Sequence, residues 1–194
     1  ARLHTAAAAE LVEDRDQLGR PRVEGEGCEE FADLGPAPTG AELRQRLDGI
    51  IELMRSASAA PALVVASIVH AEIAATRPFV VGNGLVARAV ERALIAATGL
   101  DPTGVAVPEA GHGHEGGPAY LGSLTAYATG GPDGLVLWLT HCGDAVVAGA
   151  LEGGTDARPY PSGVVPLHAD DPAAYRAAAE AIDAGGAEAV WLQH

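Results

Sequence analysis

The segment that most constrains this chain runs from Ala62 to Arg92, ALVVASIVHAEIAATRPFVVGNGLVARAVER. Its first half, up to Thr76, is apolar nearly all round, a pattern that suits a helix buried on every side. Pro61 stands where such a helix starts. Pro78 and the run Gly82-Asn83-Gly84 interrupt it, and a second helical pattern follows from about Leu85 to Thr98, closed by Gly99 as a C-cap glycine. The expectation is helix, tight turn, helix at the centre of the molecule. Gly82 and Gly84 permit backbone angles closed to other residues, and Asn83 tolerates the left-handed region.

That turn feeds a helix N-terminus. Successive backbone N–H groups there, with the helix dipole behind them, make an anion site. Arg88 and Arg92 follow one helical turn apart, and Arg77 lies just before the turn. Three guanidiniums are expected around the N–H nest, an arrangement that suits phosphate because arginine grips it bidentately. The alternative is a plain helix–turn–helix corner with solvated arginines.

The surrounding chain reads mostly as helix. Residues 4–12 look helical from their alanines. Residues 19–40 are rich in Gly, Pro and acids and read as a loop or short hairpin. From Thr39, Leu43, Leu47, Ile50, Ile51 and Met54 recur at helical spacing. Asp101 to Gly117 reads as a Gly/Pro/His-rich loop, and helical patterns resume over Pro118–Thr129 and Asp133–Leu151. The fold class expected is mainly α over residues 1–150. Residues 151–194 form a tail of α/β-like character. There Val164–Leu167 and Ala189–Leu192 look like strands about an alanine-rich helix.

Charge narrows the partners. The chain of 194 residues carries 26 acids against 12 basic residues, a net of −14, and every basic residue is arginine. Without lysine there is no P-loop lysine and no Schiff-base lysine. So acidic a chain is expected to bind neither nucleic acid in general nor an anionic membrane. The acidity sits at the two ends, however, since residues 41–100 carry five acids and six arginines. One local phosphate pocket therefore remains compatible with the global charge. Cys28 and Cys142 are far apart with no CxxC, which excludes a thioredoxin motif and a zinc ribbon. Two lone cysteines, without a basic and apolar leader, fit a cytoplasmic protein. The apolar stretches are expected to break before the roughly 18 residues a membrane helix needs. The chain opens on Ala1 and stops at Gln193-His194, as expected of a piece of a longer chain.

RPFVVGNGLVAR resembles the signature of Fic (Fido-fold) proteins, usually His-Pro-Phe-x-(Asp/Glu)-Gly-Asn-Gly-(Arg/Lys)-x-x-Arg. Pro78, Phe79, Gly82, Asn83, Gly84 and Arg88 match it. The likeness extends upstream through His70 and LHTAAAAEL and downstream through RAVERALIAATGLDP and AYLGSLTAYATGGPDGLVLWL, about residues 1–150. The tail is similar to part of the Rossmann-like half of retaining GT-B glycosyltransferases. The Fic resemblance implies a Fic-like helical bundle that binds a nucleotide such as ATP at Gly82, Asn83, Gly84 and Arg88. It also implies transfer of AMP to a hydroxyl of a target protein.

The departures fall on the chemistry. Arg77 stands at the base histidine's position and stays protonated, so it cannot be a general base. Val81 stands where an Asp or Glu would hold Mg²⁺, and Leu85 replaces the first Arg/Lys. No catalytic residue of the motif is intact, and loss of a base alone costs about 10²–10⁴ in rate. The expectation is a degenerate Fic-like protein that binds nucleotide or phosphate with weak or no AMP transfer. Two alternatives stand beside it: a transferase with altered chemistry that uses Arg77 on phosphate, and a non-catalytic module for a partner protein. His70, His141 and Cys142 are expected to pack in the core, and His112, His114 and Glu115 to be polar loop residues rather than metal ligands. The loop over 19–40 holds no Ser/Thr-x-x-x-Glu-(Gly/Asn) inhibitory motif.

Overall fold

The computed structural model describes residues 2–56, 60–114 and 116–155. Among them are seven α-helices and no strand. The tail over 151–194, expected to be α/β-like, lies outside the described residues except for 151–155, which are helical, and Glu115 lies outside them too. Helix α1 spans Arg2–Ala7, α2 Gly40–Arg55, α3 Ala62–Thr76, α4 Asn83–Ala97, α5 Pro108–His114, α6 Gly117–Thr129 and α7 Pro132–Thr155. Two 3-10 turns, Arg15–Gln17 and Ala32–Leu34, punctuate the long stretch between α1 and α2.

Helix α3 is the axis of the molecule. Val65, Ala66, Val69 and Ile73 on it pack with Ile50 of α2 and Val86, Val90 and Leu94 of α4 in one apolar cluster. Its other side, through Ala71 and Ala74, joins Tyr120 and Leu124 of α6 and Trp138 and Cys142 of α7 in a second. An apolar run without a polar face has to be enclosed in this way. Leu43 and Ile50 give α2 its buried stripe, whereas Ile51 and Met54 stay exposed.

Three expectations are corrected. The opening helix ends at Ala7 rather than Val12. Asp101–Gly117 is not all loop, because Pro108–His114 is helix α5. What admits α5 is the absence of a side chain at Gly111, where a Cβ would collide with the Ala145 carbonyl of α7. Helix α7, finally, is unbroken from Pro132 to Thr155, long and apolar enough by length and composition to cross a membrane. Its glycines and His141 do not break it, because Gly143 and Gly149 continue the helix against neighbouring elements. Trp138, His141, Cys142 and Ala145 face the core, while Val136, Leu137, Val147 and Leu151 are exposed.

Candidate functional site

The chain leaves α3 through Arg77, which caps that helix in the left-handed region at φ 45°. Gly82, at φ 85°, then starts α4. Asn83 and Gly84 are already helical, so the left-handed residues of this turn are Arg77 and Gly82, not Asn83 or Gly84. Gly84 is required for space instead: a Cβ there would come within 3.1 Å of the Phe31 ring. Asn83 is buried and turned inward, accepting from Phe79 N–H at 2.8 Å and donating to Phe79 O at 2.9 Å. Its side chain thereby staples the turn to the first residue of the helix. From the other side His4 holds the turn. Its Nδ1 accepts from Gly19 N–H, so its Nε2–H donates to Val81 O, both at 2.9 Å. The ring also stacks on Phe79.

The expected anion nest forms, and the chain supplies an anion to it. Gly82 N–H donates to Glu30 Oε1 at 2.9 Å, and Asn83 N–H donates to Glu30 Oε2 at 2.7 Å. Asn83 Nδ2 adds a third bond to Oε2 at 2.7 Å. A carboxylate against the first N–H groups of a helix, at its positive end, is the arrangement that the backbone there favours. Sequence reasoning missed Glu30. It lies in the acidic loop, outside any motif, and only the tertiary path of that loop brings it to the turn.

The three arginines do not converge on the nest. Arg77 is 2% exposed and donates to Phe31 O at 2.9 Å and Gly35 O at 2.7 Å, with a longer bond to Glu30 O. Arg92 reaches the other way, toward Gly104 O and Glu109. Arg88 alone stays near, its guanidinium 3.3 Å from where a Gly84 Cβ would stand. It also bonds the Tyr120 hydroxyl and opposes the effect of burial there. Val81 offers no oxygen ligand from its side chain, and both Glu30 oxygens are already engaged. The residues at the turn therefore do not fit a bound Mg²⁺.

A second polar centre lies inside the helix bundle, built around Glu91 of α4. Glu91 is fully buried, and its Oε2 meets His70 Nδ1 of α3 at 2.7 Å and His112 Nε2 of α5 at 2.8 Å. Beyond them, His70 Nε2 meets the Tyr120 hydroxyl at 2.9 Å and His112 Nδ1 meets His141 Nε2 at 3.1 Å. Trp138 packs against both rings. Burial pushes the Glu91 carboxyl up, but the two imidazoles outweigh it and hold its pKa down at about 2. Burial in turn lowers the pKa of His70 against the attraction of Glu91, so the centre at neutral pH is an ionised Glu91 with a neutral His70. His70 and His141 are core residues as expected. His112 is also buried, not a loop residue, because α5 turns it inward, and its neighbour His114 is exposed on the same helix. The signal for Glu91 was present in the sequence: a carboxylate on the buried stripe of α4, between Ala87 and Leu94.

Compared with known proteins, the chain matches no family model, no curated protein and no solved structure.

Proposed function

We propose that this protein is a Fic-like helical module that binds a nucleotide or another phosphate compound at the N-terminus of α4. Its own Glu30 holds that site closed in the free protein, and ordinary AMP transfer is weak or absent. The observation that carries this reading is the Glu30 carboxylate on the Gly82 and Asn83 N–H groups. A site that holds one oxyanion by two backbone donors and a helix end has the chemistry to hold a phosphate oxyanion. Arg88 beside Gly84 would add a side-chain cation at that end. Arg77 cannot remove a proton from an attacking hydroxyl, and its donors are already engaged by the 30–35 loop.

Calorimetric titration with ATP, ADP and AMP, with and without Mg²⁺, tests the reading on the wild-type chain and on Glu30→Ala. The expected result is binding that is weak in the wild type and at least about tenfold tighter in Glu30→Ala. A tenfold change corresponds to about 1.4 kcal/mol of competition removed. Arg88→Ala in the Glu30→Ala background should weaken binding again. Heat-silent titrations for both proteins, each with its helical circular dichroism intact, would sink the proposal.

A further inference from the structure

The buried centre at Glu91 is separate from the α4 turn, and its geometry points to a resident divalent transition metal, zinc foremost, held by His70, Glu91 and His112. One ligand atom from each of these three residues lies within 4.8 Å of the other two, and all three residues are buried. Two imidazoles and one carboxylate are a donor set that zinc and ferrous iron use in proteins. The three come from three different helices, α3, α4 and α5, so an ion there would tie the bundle together.

Two further observations favour an ion over a plain hydrogen-bond network. The second carboxylate oxygen, Glu91 Oε1, is buried with no hydrogen-bond partner. A network evolved only to satisfy polar groups would not leave it so, whereas a metal takes it as an additional ligand. The outer partners are also already in place. Tyr120 and His141 each stand against the far nitrogen of one imidazole, which is how metal-bound histidines are oriented and kept in the right tautomer. With the metal on His70 Nδ1 and His112 Nε2, the far nitrogens become donors, His70 to the Tyr120 oxygen and His112 to His141 Nε2. The direct contacts of 2.7 and 2.8 Å must then open to about 3.3 Å for tetrahedral bonds of about 2.0–2.1 Å. A shift of that size is within the reach of the short helix α5. In each imidazole the proton now shared with Glu91 moves to the far nitrogen on ligation, and the ion neutralises a carboxylate otherwise buried as an anion.

The test uses the full chain, freed of metal by chelator in denaturant and refolded with one equivalent of Zn²⁺ or Co²⁺. The closed site makes loading during folding the fair condition. One ion per chain should survive desalting, and Co²⁺ should give the visible absorption of a low-coordinate nitrogen and oxygen site. His112→Gln should weaken retention at least tenfold, and His114→Ala should leave it unchanged. Tyr120→Phe keeps every ligand and removes only the outer hydroxyl. It should weaken binding about 10–100-fold, and it decides the matter even where His112→Gln does not regain its helical spectrum. Wild-type protein that refolds fully yet retains neither ion overturns the inference. So does a loss of binding caused by His114→Ala rather than by His112→Gln or Tyr120→Phe.

Discussion

Replacing Arg77 by alanine and by glycine separates two roles that one residue plays in this fold. Arg77 is 2% exposed, and its guanidinium donates short bonds to Phe31 O and Gly35 O, at 2.9 and 2.7 Å. Its backbone sits at φ 45°, where a Cβ is strained. Hydrogen bonds from a charged donor contribute about 1.5–3 kcal/mol each. Two of them, less the cost of burying a guanidinium with no carboxylate beside it, leave about 2–4 kcal/mol lost in Arg77→Ala. Glycine loses the same bonds but relieves the left-handed backbone, a difference of about 1 kcal/mol. Arg77→Gly should therefore be the more stable of the two variants, although both fall below the wild type. Urea unfolding followed by far-UV circular dichroism reads both gaps as midpoint shifts at constant slope. Alanine within about 0.5 kcal/mol of the wild type, or glycine no better than alanine, would show that the geometry of this cap does not govern its energetics.

Other outcomes follow from the same structure. Gly111→Ala forces a Cβ into the Ala145 carbonyl and should cost about 1–3 kcal/mol or more, read by urea midpoint, while the exposed Gly113→Ala should not. On the acid side, the folded-state pKa values of His70 and Glu91 lie below their ordinary values of 6.5 and 4.5. Both groups thus contribute stability above those values and lose it as the pH falls. The urea midpoint should decline below about pH 6.5 and again between about 4.5 and 2, and a midpoint constant from pH 7 to 3 refutes this. On the alkaline side, burial raises Tyr120, Tyr127 and Cys142 above their ordinary values. Stability should then fall as the pH passes about 9 to 10, where the unfolded chain ionises first. Trp138→Phe removes the indole bond to Ser67 O at 2.8 Å and leaves unfilled space at a fully buried position, and should cost about 1–3 kcal/mol by the same assay.

What was legible in the sequence was what depends on neighbours along the chain. The all-round apolar run set α3, the spacing of Leu43, Leu47 and Ile50 set α2, and Pro78 with Gly82 set the corner before α4. Arginine chemistry alone removed Arg77 as a base, whatever the fold. What the tertiary structure decided was which distant groups meet. Glu30 reaches an N–H nest 52 residues further along the chain. Glu91 gathers two histidines that lie 21 residues away on either side of it. The glycine-rich stretch around Gly111 is a helix packed so closely on α7 that a Cβ at Gly111 would meet the Ala145 carbonyl. Periodicity reports which face of a helix is buried. It does not report which side chain of another helix waits there, since that depends on crossing angles and loop paths fixed by packing of the whole core.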